Sequence, residues 1–443
     1  MVTIIPYLVS IFLAILDGSS ASLFVIIPLL LCSHIIISKI QSCNIVQRDT
    51  YWIIVSLVYM ISGFIFSNSF EEGNYHIVFD PSHYIADFIN NKQYFDGSIW
   101  KSLLFSYLDL SDNNILYYIL LVQISAIGAQ LGGTTVFTLT ALQIGFGIMT
   151  CSIMYRIISR YSPRVYNYAL TYALLSFTLF YSSIIIRDIL ITFFYAFAID
   201  IVLEKFRIKG VLTLCVLIIF TLGIRLYSGI FLILILVYYI TNRLYFSKLK
   251  SIVLPLGIIV TLISIGYLSN SNLVNQTKGE LELYSELSNE NSSGGLVSMF
   301  MTFPPGIRHL SITLFTMIRP IPPHAFFLKA ETFSDYFMSI IYTIEFIWWY
   351  IIFYITLLGL TVKKHYQYIT SSCLGLFLIA AIFLLINSSH PDIRRMMPMF
   401  PVIYLIYIQI MDRNRKTYWI IKYKSILICL YIILSMYSLV NLI

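Results

Sequence analysis

The sequence predicts an all-α fold, a polytopic bundle of about 12 to 14 membrane-spanning helices, and three observations lead there. Hydrophobic residues make up 59% of the 443-residue chain and charged residues only 11%, whereas a soluble domain carries about 25% charge. Apolar runs of roughly spanning length, about 17 to 25 residues, recur from one end of the chain to the other, and the mean hydropathy is +0.84. Stretches such as Val211 to Phe220 do not alternate polar with apolar residues, which argues against the strands of a membrane barrel.

Hydropathy and charge together place spans near residues 2 to 16, 21 to 38, 51 to 68, 134 to 156, 166 to 183, 189 to 204, 210 to 224, 228 to 244, 251 to 268, 337 to 361, 367 to 387, 396 to 411 and 425 to 441. Two more apolar stretches, 115 to 131 and 309 to 318, are marginal or too short and read as shallow or re-entrant helices. Residues 1–443 thus form a single integral membrane domain, interrupted by two long loops at about 69–114 and 269–336. Loops of that length are commonly functional or disordered. The first holds amphipathic patches suited to the bilayer surface, and the second is stiffened by prolines around Arg308 and Arg319. No cleavable signal is expected, because the first apolar stretch lacks a basic flank and a small-residue cleavage site. The 6 cysteines include no CxxC pair, so neither a disulfide framework nor a thiolate metal site is expected.

Basic residues set the orientation, since cytoplasmic loops are enriched in them. Lys39 and Arg48, the group Arg156, Arg160 and Arg164, the group Lys205, Arg207 and Lys209, the group Arg243, Lys248 and Lys250, the pair Lys363 and Lys364, and the group Arg413, Arg415, Lys416, Lys422 and Lys424 all fall on one face of this threading. That face is assigned to the cytoplasm. Acids gather in the two long loops, which then face outward. The net charge of +7 belongs to the cytoplasmic loops and does not indicate nucleic-acid binding.

The residues that stand out chemically are arginines left on the outer face: Arg187, Arg225, Arg308, Arg319, Arg394 and Arg395. An ionisable group near membrane depth is costly and points to function. Guanidinium holds phosphate or diphosphate in a bidentate fork. The competing reading is that each arginine snorkels to the interface or pairs with an adjacent acid, Arg187 with Asp188 and Arg394 with Asp392. Asp80 opens DPSHYIADFI and is a candidate catalytic carboxylate, but Asp before Pro is also a common helix N-cap. His324, close in sequence to Arg319, is a candidate base for an acceptor hydroxyl, and His390 beside Arg394 is a weaker one. The chain has no GxxxxGK[ST], HExxH or GxGxxG motif, so nucleotide-driven chemistry and a zinc protease have no support. No metal or other cofactor is expected.

Four short motifs on this layout resemble the bacterial O-antigen and capsule polymerases of the Wzy type. They are Asp80 with Tyr84, Ser183 with Arg187 and Asp188, Arg225 with Tyr227, and Arg394 with Pro398 and Pro401. The resemblance implies an inverting, metal-independent glycosyltransferase of the multi-spanning C type in the bacterial inner membrane, with its active site facing the periplasm. It further implies transfer of a glycan from undecaprenyl diphosphate to a lipid-linked repeat unit, with a chain-length regulator protein as a partner besides membrane lipid. The six arginines would bind the diphosphate, and Asp80 or His324 would serve catalysis. Two other classes remain open: a C-type transferase using a polyprenyl monophosphate sugar, for which Asp80 and Asp87 are a loose acidic pair, and a lipid-oligosaccharide flippase.

Overall fold

The computed structural model describes residues 2–40, 43–68, 70–71, 74–75, 115–131, 133–243, 303–304, 307–308, 310–312, 330–361, 367–387, 396–397 and 399–413. Among them the regular structure is helical, apart from a two-residue antiparallel ladder of Phe70–Glu71 with Asn74–Tyr75. The helices are α1 (Ile5–Asp17), α2 (Ala21–Ser38), α3 (Ile45–Ser67), α4 (Ile115–Gln130), α5 (Val136–Ile158), α6 (Val165–Leu175), α7 (Thr178–Ser182), α8 (Asp188–Leu203), α9 (Ile208–Ile224) and α10 (Leu226–Arg243), followed by α11 (Phe333–Thr361), α12 (Ser371–Asn387) and α13 (Phe400–Arg413).

Of these, α2, α3, α5 and α11 are long and apolar enough to cross a membrane, and α1, α4, α9, α10, α12 and α13 include shorter apolar segments. Large apolar side chains such as Phe12, Phe24, Leu31, Leu212 and Phe220 point outward and are more than one-third exposed. An apolar outer surface over apolar helices is the pattern of a helical membrane protein, in which lipid replaces water around the bundle. The spans expected at 251 to 268 and 425 to 441 lie outside the described residues, as does nearly all of the loop at 69–114.

Helix ends follow local chemistry. Pro6 sits in the first turn of α1, where no amide is needed, and Gly18 ends that helix at φ 73°, a left-handed conformation glycine adopts without a Cβ penalty. Asn44 caps α3 by accepting from the Val46 amide at 2.9 Å. The Thr135 hydroxyl caps α5, accepting from the Thr138 amide at 3.0 Å and donating to Asp17 at 2.5 Å. With Ser19 donating to the Gly133 carbonyl at 2.7 Å, the α1–α2 turn and the start of α5 share one end of the bundle.

α5 is the central helix: 89% of its apolar window is buried, against 33% for α2. It packs on α2, α3, α6 and α8. Close approach is built on glycine, since a Cβ at Gly147 would lie 2.6 Å from Ser182 Cβ and 2.8 Å from the Tyr59 ring. The 115 to 131 stretch forms a helix of 16 residues, about 24 Å long and shorter than a hydrocarbon core of about 30 Å. The Gln143 amide accepts from the Tyr117 hydroxyl at 2.5 Å, so the start of α4 lies beside the third turn of α5.

One expectation changes. Residues 166 to 183 read as a single span, yet α6 stops at Leu175, Phe177 turns left-handed at φ 61°, and α7 is only 5 residues long. A left-handed L-residue costs about 1 to 2 kcal/mol. Aromatic packing offsets that cost: the Phe177 ring lies 5.3 Å from Tyr342, 6.0 Å from Phe346 and 5.9 Å from Phe400. After α7 the chain stays irregular through Ile186 before entering α8.

Candidate functional site

α5 and α8 run in the same direction, because Arg156 pairs with Asp200 near their ends and the Phe146 ring meets Phe193 at 4.9 Å. At 1.5 Å rise per residue, Asp188 lies about 18 Å from the level of Asp200, whereas Val136 lies about 30 Å from that of Arg156. The start of α8 is therefore set back by about 12 Å from the start of α5. α9 and α10 are antiparallel neighbours joined through the single non-helical residue Arg225, and α9 packs on α8. The end of α9, the start of α10 and the start of α8 thus meet at one recessed level.

Arg187 and Arg225 come together there. Arg225 Nη1 donates to Asp188 Oδ1 at 2.9 Å, with side chains 14% and 7% exposed. Arg187 Nη1 donates to the Ile224 carbonyl at 3.5 Å, one residue from Arg225. The Ile224 carbonyl is one of the C-terminal acceptors of α9 that helix geometry leaves open. Tyr195, about two turns deeper on α8 than Asp188, donates to the Ser228 carbonyl at 2.8 Å and fixes the first turn of α10 beside α8. Two guanidinium groups and one carboxylate gather at this level. Such an arrangement can accept an anion while Asp188 holds one guanidinium in place.

The competing reading offered Arg187 as the partner of its neighbour Asp188; in space the acid receives Arg225 from the next hairpin. The reason is geometric, since adjacent residues on a helix project about 100° apart and do not face one another. Arg308 is half-buried on a short helical stretch, its amide donating to the Pro304 carbonyl at 2.9 Å. Asp80, Arg319, His324, His390, Arg394 and Arg395 lie outside the described residues. So does Asp392, the expected partner of Arg394.

A second charged cluster occupies the opposite end. Asp200, only 2% exposed at its side chain, pairs with Arg156 and with Arg160 at 2.8 Å, and Arg160 also reaches Glu204 at 2.9 Å. Two arginines balance two acids, so this network joins α5 to α8 with little charge left for a ligand. A polar cavity of about 420 Å³ lies at this same end, lined by Asn44, Tyr155, Arg160 and Ser162. It is far from Arg187 and Arg225, and cavity size here does not coincide with the recessed arginines. Among the described residues no group of three or more His, Cys, Asp or Glu side chains is arranged to hold a metal ion.

Two buried acids had no assigned role in the sequence reading. Asp335 caps the start of α11, accepting from the Thr332 amide and hydroxyl, each at 2.8 Å. Glu345, 0% exposed, lies ten residues further along, about 15 Å deeper into the bundle. A lone acid inside a long apolar run is the signal that marks it. Comparison of the chain with protein-family models, with curated proteins and with solved structures gives no match.

Proposed function

We propose that this chain is a Wzy-type polymerase of bacterial O-antigen or capsule, a multi-spanning inverting glycosyltransferase. The observation that supports the reading is the convergence of Arg187 and Arg225, from separate helix ends, on one recessed patch with Asp188 between them. In this reading the chain threads the inner membrane about 12 to 14 times. The Arg187 end faces the periplasm, as do the 69–114 and 269–336 loops.

The acceptor is the terminal sugar hydroxyl of a new lipid-linked repeat unit. As that oxygen bonds to the anomeric carbon of the growing glycan, the bond from the same carbon to the undecaprenyl diphosphate oxygen breaks. The diphosphate departs with the bonding electron pair, and the guanidinium groups of Arg187 and Arg225 stabilise the charge that develops on it. Arg308, Arg319, Arg394 and Arg395 are further candidates for the same anion. The hydroxyl proton passes to a base, for which Asp80 and His324 are the candidates. A chain-length regulator protein is the proposed partner, and no cofactor enters the reaction.

The test is deletion of the gene. The polymerase reading expects a surface glycan capped with one repeat unit in place of a ladder, and an unchanged ladder overturns it. A second reading, a lipid-oligosaccharide flippase, is favoured by the fully buried carboxyl of Glu345, because transporters place ionisable groups along mid-bundle helices. It expects deletion to abolish the surface glycan, repeat unit included.

A further inference from the structure

The polar cavity of about 420 Å³ sits at the end of the bundle opposite Arg187 and Arg225, where the start of α3, the end of α5 and the start of α6 meet. Two helices open on it with their N-termini, α3 through Asn44 and Gln47 and α6 through Ser162, Pro163 and Val165. The first amides of a helix have no partner within it, and its N-terminus carries roughly half a positive charge. The side chains add further donors. Asn44 Oδ1 is taken by the Val46 amide, and Ser162 Oγ accepts from the Arg164 amide at 3.0 Å, so the Asn44 amide nitrogen and the Ser162 O–H remain to donate. Arg160, also in the lining, spends Nη2 on the Asp200 and Glu204 carboxylates and one Nη1–H on the Asp200 carbonyl. Its Nε–H and second Nη1–H are left over among the described residues. Tyr155 of α5 is 0% exposed and lines the same cavity, yet its hydroxyl has no hydrogen-bond partner among the described residues. Native structures seldom bury a polar group in that state unless a water or an ion takes the bond, and this cavity is far larger than the roughly 30 Å³ of one water.

We propose that this cavity is a binding site for a phosphate group, held at the junction of α3, α5 and α6. Its lining residues include no carboxylate, and most of the groups named above are donors. A sugar hydroxyl has to donate as well as accept, whereas ionised phosphate oxygens accept only, so phosphate is the better match. The network of Arg156, Asp200, Arg160 and Glu204 is balanced in charge. The pull on an anion therefore comes chiefly from the two helix N-termini, as at other phosphate sites on helix ends. The Tyr155 hydroxyl donates to the same group from the buried side. The site is separate from the Arg187 and Arg225 patch, and phosphate is bound here without reacting. Two sources carry this chemistry: the headgroup of an anionic phospholipid in the leaflet at this end, and a soluble phosphate.

The test uses the full chain, delipidated in a maltoside detergent that carries no phosphate, with thermal unfolding as the readout. It is titrated with phosphatidylglycerol and, separately, with inorganic phosphate; diacylglycerol and chloride of equal ionic strength are the controls. A saturable rise in unfolding temperature is expected with phosphate and not with either control. A response to phosphatidylglycerol alone identifies a lipid headgroup, and a response to inorganic phosphate identifies a soluble ligand. Gln47→Glu places a carboxylate in the lining at an exposed position in the first turn of α3, where an acid favours the helix. It should keep the fold and weaken phosphate binding by about tenfold or more. Tyr155→Phe removes the unpartnered hydroxyl, so without phosphate it should be at least as stable as wild type. With phosphate it should bind about tenfold more weakly. Stabilisation by neither phosphate probe overturns the proposal, and so does undiminished affinity in both variants. Equal loss of stability in Tyr155→Phe with and without phosphate also overturns it, because the hydroxyl then serves the fold alone. If Tyr155→Phe does not fold, Gln47→Glu carries the test.

Discussion

The Asp188–Arg225 pair gives a sharp quantitative expectation, because its two members come from different helices and both are largely withdrawn from solvent. At an effective dielectric near 20, unit charges about 4 Å apart attract by about 4 kcal/mol, part of which offsets their desolvation. Removing one partner of a buried ion pair costs about 3 to 5 kcal/mol. Hydrogen bonds between helices within membranes average only about 0.6 kcal/mol, because the unfolded chain in lipid also finds partners. Between these limits the expected coupling is about 2 kcal/mol. The assay is a double-mutant cycle of Asp188→Asn, Arg225→Gln and the double variant, followed by reversible unfolding in mixed micelles. Each single variant should be destabilised by about 2 to 3 kcal/mol, and the double variant by less than the sum. Free energies additive within about 0.5 kcal/mol would refute a direct pair and with it the placement of Arg225 beside the start of α8.

Two further outcomes are expected. Cysteines introduced at Gly97 and Ser293 should react with an impermeant thiol reagent in intact cells whose outer membrane has been permeabilised, since basic loops alternate against both segments; protection of both until lysis overturns the threading. Polymer formation by the purified protein should survive EDTA, and loss on chelation with rescue by a divalent ion shifts the preference to the monophosphate-sugar class.

The apolar runs made most of the described helices legible. Ala21 to Ser38, Ile45 to Ser67 and Val136 to Ile158 are continuous, and their boundaries fall within two residues of those read from hydropathy, except that α3 begins six residues before the expected 51. Arg187 and Arg225 were legible as candidate site residues because a charge at the edge of an apolar run is conspicuous. What could not be read was which partner each charge takes. Asp188 stands next to Arg187 in sequence, but helix geometry turns it toward Arg225, 37 positions away. The break at Phe177 was equally hidden, because Leu175 to Phe180 contains neither glycine nor proline. It is imposed by tertiary contacts from α3 and α11, and the local trace of it is the clustering of Ser176, Thr178, Ser182 and Ser183 in an otherwise apolar stretch. The backbone there has side-chain hydroxyls at hand to replace helical bonds.

The central claim is that Arg187 and Arg225, with Arg319 as the third candidate, hold the diphosphate of a polyprenyl-linked glycan. The most direct measurement is the affinity of the purified protein, reconstituted in lipid, for undecaprenyl diphosphate, compared among wild type and Lys and Ala variants at the three positions. All variants must be expressed at wild-type level, and each should also be scored by the ladder of surface glycan lengths. Lysine retains the charge but loses the planar fork, so it should impair binding and turnover in a folded protein. Alanine should cost more, roughly 3 kcal/mol of transition-state stabilisation by analogy with loss of one oxyanion donor, or about a hundredfold in turnover. Wild-type affinity and normal ladders in all three alanine variants would contradict the account.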